Sequence, residues 1–457
     1  MNSKARGIIL MEEKQQETVD SFKPKYPLKV SSNRRFLVDQ NNHPFLLQGD
    51  AAWSLIAGIS REDVVTYLSN RSQKRFNTLL VNLIEHRFSP NAPRNFYGEA
   101  PFTTPGDFTT PNEKYFEHAD WVIRKVSEFD IQILLCPDFL GVPITYHGWY
   151  DELEAQSLGN CLAYGQFLGK RYRDYDNILW SMGCDRNPGP DVLQRMDMIS
   201  LGIKEHDSRH LMTAQTFPEY SSRNIFSGGG WLDVNATYSY GIVHGRLTSD
   251  YNLEPRMPVF LIESTYEGEH NSTPAQIHRQ AYWSVLCGGF GHVFGNFAIW
   301  PFGIEYGYVV WPRSTEKWQV EMDKPGSISM KHFGDFFRSL PWYELIPDQK
   351  HRVVTNGLGE FRGLDYLAAA VSEDGHTLVA YMPTPRMITI DLSKLQGSLV
   401  RAWWFDPQSG KSVTIGEYPA SGTKDFTPPG PGDWAIVVED TSGKRLSPGY
   451  HPEVSNL

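Results

Sequence analysis

Long runs of one kind are what this sequence lacks. No stretch approaches the roughly 18 uninterrupted apolar residues of a membrane span. The opening segment MNSKARGIILMEEKQQETVD holds four consecutive apolar residues, Ile8 to Met11, too few for a signal-peptide core. A soluble protein is expected, cytoplasmic as the sequence stands, or secreted or periplasmic if a signal was removed. A run of Lys and Arg is also missing, and 43 basic against 53 acidic residues give a net charge of −10. That balance excludes nucleic acid and anionic membrane surfaces as partners. The four cysteines, Cys136, Cys161, Cys184 and Cys287, form no C-x-x-C pair. Three of them sit in or beside apolar runs, so buried free thiols are expected rather than a disulfide or metal site. There is no G-x-G-x-x-G, Walker or G-x-S-x-G pattern and no His-x-His, so neither a cofactor nor a metal is expected.

What the sequence has is aromatic residues, 13 Trp, 22 Tyr and 25 Phe among 457. The length allows two or three domains at about 150 residues each. After a polar tail over 1–27, expected to be mobile, LKVSSNRRFLVDQNNHPFLLQ reads as short strands around an Asn-rich turn, a lid or edge hairpin. From there short apolar runs alternate with helix-period segments. The strand candidates are FLLQGDAAW, NTLLVNLIEH, IQILLCPDF, NILWSMGCDRNP, LMTAQTF, WLDVNATYSY, PVFLIESTYEG and FGHVFGNFAIW, and the helix SISMKHFGDFFRSL closes the set. Eight such units over about 300 residues match a (β/α)8 TIM barrel, placed at 28–346 with the N-terminal hairpin. Beyond it the pattern changes to short alternating strands, with Asp374-Gly375 as a hairpin turn, which reads as a small antiparallel β-sandwich over 347–457.

In such a barrel the chemistry lies at the C-terminal ends of the strands. Two carboxylates close apolar runs there: Asp185 after NILWSMGC and Glu263 after PVFLI. A pair of this kind can flank a glycosidic bond, one protonating the leaving oxygen and the other attacking the anomeric carbon. The bland alternatives are a helix cap or an arginine pair for Asp185 and, for Glu263, a place in the core, where an unpaired charge is costly.

GDAAW, GCDRNP, PVFLIESTYEG and GGFGHVFGNFAIW together resemble the apiosidase-like glycoside hydrolases, and the segment ending DWAIVVED resembles their following β-domain, labelled a "putative collagen-binding domain of a collagenase". The resemblance runs from about Leu28 to about Asp440. It implies a retaining hydrolase with Asp185 as acid/base and Glu263 as nucleophile, acting on a terminal apiosyl or related pentosyl or hexosyl unit of a plant-derived glycan. Cys184 replaces the family's usual glycine, and TYSYGIVHG differs from its sixth-strand end, which bears on the choice of sugar.

The other strand ends supply candidate sugar contacts: Asp50, Trp53, Glu85, His86, Asp138, Tyr146, His147, Trp149, Tyr238, Tyr240, His244 and Trp300. Aromatic faces among them can stack on sugar C–H groups. Turn, ion-pair and core roles are the alternatives for Asp50, Glu85, His86 and the tryptophans. The partner is thus a carbohydrate, with oligomeric state left open. The contrasting class is an inactive barrel that binds carbohydrate or matrix.

Overall fold

The computed structural model describes residues 23–89, 91–143, 147–302, 317–443 and 445–450. Most of the expected tail and Tyr146 lie outside the described residues. The tail's last residues are tied down: Tyr26 packs against Phe45 and its hydroxyl donates to the Asp130 carbonyl at 3.0 Å.

Three short antiparallel strands come first, β1 (Lys29–Val30), β2 (Leu37–Val38) and β3 (Pro44–Phe45). Their loop binds the carbonyls of Tyr251 and Arg256, which lie ahead of a barrel strand, through Arg35 and Arg34. The hairpin therefore plugs the base of the barrel and is not a lid over the site.

The barrel strands are β4 (Leu47–Ala51), β5 (Thr78–Asn82), β6 (Gln132–Cys136), β7 (Ile178–Gly183), β8 (Met212–Gln215), β10 (Asn235–Tyr238), β11 (Val259–Glu263) and β12 (Gly291–Phe294). The two-residue β9 (Tyr220–Ser221) runs antiparallel on the edge of β10. The parallel order is β8, β7, β6, β5, β4, β12, β11, β10. Every residue of the eight parallel strands is buried, because one face meets the barrel interior and the other meets helices, which is why the strands read as near-continuous apolar runs. β8 and β10 share no ladder. Their seam is closed by Ser222, whose hydroxyl donates to the Ala214 carbonyl (2.6 Å) and accepts from the Ala236 N–H (2.8 Å).

The helices start where the capping residues stand. Ser60, Asn112, Ser157 and Thr273 each accept a first-turn N–H, and Pro274 follows Thr273 at the first helical position. Helices Leu158–Tyr172 and Pro190–His206 touch backbone to backbone: a Cβ on Gly165 would meet the Ile199 carbonyl oxygen at 2.1 Å.

The C-terminal domain is a sandwich of a six-stranded and a three-stranded antiparallel sheet. Period-two alternation splits the larger sheet between two cores. Leu378, Ala380, Trp404 and Ile436 face the smaller sheet, while Val379, Tyr381, Phe405 and Val437 join the barrel's own core. Tyr381 stacks on Tyr282 of helix Pro274–Leu286 (4.7 Å between centroids), and Phe405 packs on Phe336 of helix Pro325–Arg338 (4.5 Å). A chain ending at Leu345 bares these rings and is expected to be insoluble on expression. The full-length Phe405→Ala variant stays soluble and loses about 3–5 kcal/mol in urea unfolding.

Candidate active site

At the end of β7 the chain turns through three consecutive residues with positive φ: Gly183 (82°), Cys184 (83°) and Asp185 (60°). For the two non-glycine residues that conformation is strained, and the surroundings hold it. The Asp138 carboxylate accepts the Gly183 N–H (2.9 Å), the Leu140 N–H reaches the Gly183 carbonyl (2.8 Å), and the Cys184 N–H reaches the Gln215 carbonyl (3.0 Å). Asp185 is thereby lifted over the barrel mouth. Cys184 is buried beneath it, with its Sγ 3.2 Å from the Sγ of Cys136, both thiols free.

Glu263 is the last residue of β11 and is 5 % exposed. Its neighbour Tyr238 is aligned by a bulge. Thr237 pairs with Leu261, yet Tyr238 pairs with Glu263, so β11 carries one extra residue. Tyr238 and Glu263 therefore face the same way. The Tyr238 hydroxyl lies 3.0 Å from Glu263 Oε1 and 3.2 Å from Asp185 Oδ1. Gln215, which ends β8, donates from Nε2 to Glu263 Oε2 at 2.6 Å and lies 3.4 Å from Asp185 Oδ1. The Tyr240 hydroxyl adds a third donor to Glu263 at 3.2 Å. The two contacts of Gln215 Nε2 place the carboxylate oxygens it touches no more than about 6 Å apart, so the two groups flank one small space.

Burial pushes the Asp185 carboxyl up to about 7, with the negative charge of Glu269 adding to the rise. Burial also raises Glu263 well above the carboxylate range, helped by its acidic neighbours Asp185 and Glu269. Charging both of two buried carboxyl groups that share one hydroxyl is costly, so below about pH 7 the pair holds a proton. The donors decide where it sits. Three reach Glu263, and the two near Asp185 are longer there, so charge is favoured on Glu263 and the proton on Asp185. The tyrosine hydroxyl has one hydrogen; when it donates to Glu263, its oxygen can accept from protonated Asp185.

A cavity of about 340 Å³ opens over this pair, at the small end of the range for ligand pockets. Of the residues expected from sequence, Trp53, His147, Tyr238, Tyr240 and Trp300 line it together with Asp185 and Glu263. Trp53 is fixed by its indole N–H to the Tyr266 hydroxyl (3.2 Å), and Trp300 meets Phe88 edge to face at 4.8 Å.

The other expected contacts lie elsewhere. Asp50 is on the helix-facing side of β4, where it binds Arg71 (2.6 Å) and the Tyr67 hydroxyl (2.6 Å), with both charged side chains fully buried. Glu85 accepts from the Ser54 hydroxyl and from the N–H groups of His86 and Phe88, holding the turn that presents Phe88 to the cavity. His86 reaches back to Glu152 (3.2 Å), and Trp149 is buried with its N–H on the Ile84 carbonyl (3.3 Å). Asp138 is sealed under the β7 turn, where burial pushes its carboxyl up to about 7. His244 lies at the domain junction, its ring stacked on Tyr366 (4.7 Å). Burial lowers it to about 4, and its neutral Nε2 accepts the Arg362 N–H at 3.0 Å.

Sequence reasoning missed Gln215, Phe88, Tyr266, Glu269, His270 and Phe297. Gln215 was within reach, since it is the polar residue closing LMTAQ, the signal that singled out Asp185 and Glu263. Glu269 had no such signal, lying six residues past β11.

A barrel whose mouth holds two hydrogen-bonded carboxylates under aromatic walls has the architecture of a glycoside hydrolase, and the solved structures it matches agree. One described as "Glycoside hydrolase" is 25% identical with a TM-score of 0.82, over 93% of this chain and 100% of its own. A family 5 glycoside hydrolase from Bacteroides vulgatus ATCC 8482 is 26% identical with a TM-score of 0.81, over 92% and 95%. The family model "Apiosidase-like, catalytic domain" matches residues 31–344, and "Putative collagen-binding domain of a collagenase" matches 346–439. The chain belongs to the apiosidase-like family. No curated protein matches it.

Two stability outcomes separate support from chemistry. Asp50→Ala leaves Arg71 charged and unpaired in the core, which costs about 3–5 kcal/mol in urea unfolding, while kcat/KM per folded molecule is unchanged. At Cys184, glycine relieves the positive-φ strain and loses the packed thiol, effects of about 1 kcal/mol each that offset. The Cys184→Gly protein melts near the parent temperature, whereas Cys184→Ala, which keeps the strain, melts lower.

Proposed function

We propose that this glycoside hydrolase retains anomeric configuration and releases a terminal apiosyl or related pentosyl or hexosyl unit from a plant-derived oligosaccharide or glycoside. The observation that carries the reading is the bridged pair, Asp185 and Glu263, joined at the barrel mouth by the shared donors Tyr238 and Gln215. Glu263, ionised and oriented by Gln215, Tyr238 and Tyr240, attacks the anomeric carbon. Asp185, protonated, gives its proton to the leaving oxygen. Once the aglycon has left, Asp185 is the base for the water that cleaves the glycosyl ester, which regenerates the starting protonation state. The donors that stabilise charge on Glu263 also make it a better leaving group in the second step. The apiosyl preference is drawn from family membership, and the small cavity supports a single terminal sugar.

The test is turnover of a panel of aryl and alkyl glycosides. Glu263→Gln reduces kcat by about 10⁴-fold or more. Asp185→Asn slows an alkyl glycoside by about 10²–10⁴-fold and a dinitrophenyl glycoside far less, since that leaving group needs no proton. Because Asp185 must start protonated, kcat/KM falls as pH rises past about 7, and this limb vanishes in Asp185→Asn. Proton NMR of the first-formed product reads retention directly, and an inverted anomer refutes the double displacement.

A further inference from the structure

A third carboxylate faces the cavity. Glu269 lines it beside His270, with its side chain 18% exposed. Its Oε2 accepts the Tyr266 N–H at 3.0 Å, and its Oε1 lies 3.4 Å from His270 Nε2 and 3.5 Å from the Tyr240 hydroxyl. That hydroxyl has one hydrogen and is nearer Glu263, at 3.2 Å. A carboxylate offers about four acceptor positions. The internal contacts of Glu269 leave some of them for a guest.

The charge around the guest is one-sided. Among the described residues lining the cavity there is no lysine or arginine; of its two histidines, burial and the nearby Arg87 and His86 lower His147, and His270 turns its Nε2 to Glu269 itself (3.4 Å), while Asp185, Glu263 and Glu269 are all acidic. A neutral sugar brings hydroxyl donors, which suit a free acceptor at the wall. A sugar with its own carboxylate must give up hydration next to negative charge, with no lysine or arginine among the described lining residues to meet it, an arrangement that rejects a ligand by repulsion.

We propose that Glu269 is a specificity-determining residue, whose carboxylate receives hydroxyl protons of a neutral glycon and turns away uronic acids. The inference rests on the reading that this cavity takes the glycon, and it narrows that glycon to one chemical class. It is tested by binding, so that it does not depend on hydrolysis. Quenching of tryptophan fluorescence is titrated with xylose, glucose, glucuronate and galacturonate, for the full-length protein and for Glu269→Gln, each first shown to be folded by circular dichroism. The parent is expected to bind a neutral sugar at least about tenfold more tightly than either uronate. Glu269→Gln is expected to lose about tenfold on the neutral sugar and to narrow the gap to the uronates. The proposal is overturned if the parent binds uronates as tightly as neutral sugars, if it binds neither neutral sugar, or if Glu269→Gln leaves both affinities unchanged. Failure of the catalytic reading shows separately, as equal glycoside turnover by the parent and Glu263→Gln.

Discussion

One tyrosine hydroxyl, bonded to two buried carboxyl groups at once, is the constraint around which the mouth of this barrel is organised. In water two carboxylates repel weakly and both ionise. In a buried site the second charge is far more costly, so the pair keeps a proton. Most nearby features serve either to maintain that situation or to bias it. The aromatic walls, Trp53 and Trp300 with Phe88, limit water. The strained turn through Cys184 and Asp185 brings the second carboxyl within reach. Gln215 and Tyr240 add donors on the Glu263 side, which turns a symmetric problem into two groups with different tasks.

The C-terminal sandwich belongs to the same physical unit. The central strands of its larger sheet are buried on both faces, against its own second sheet and against two barrel helices. The Arg362 N–H bonds to His244, only four residues after Tyr240, so the junction sits a short step along the chain from a donor to Glu263.

The strand ends were legible because a carboxylate closing an apolar run is a costly placement that needs a reason, and the structure brings Asp185 and Glu263 together under shared donors. The same signal misled at Asp50. Barrel strands are covered on both sides, so alternation does not tell the interior from the helix layer, and Asp50 points outward to Arg71. His244 was illegible for a different reason. Its partner is the N–H of Arg362, 118 residues away, and no local pattern announces it. Glu269 lies on an irregular loop where periodicity has nothing to say. Gln215 was readable and passed over, because an amide at a strand end lacks the cost that draws attention to a charge.

The bulge between β10 and β11 fixes a parity. In a parallel ladder, paired residues share a face, so without the extra residue Tyr238 would side with Ile262, whose side chain points away from that of Glu263. The hydroxyl that joins the two carboxyl groups reaches them only because one strand is a residue out of step with its neighbour. Anyone transplanting this constellation onto an idealised barrel must carry that irregularity along with the side chains. A perfectly regular wall would present the same residues in the same order and turn the glutamate away from the tyrosine, since Thr237, one residue before Tyr238, already faces the helix layer through its hydroxyl bond to Asp250 (2.7 Å).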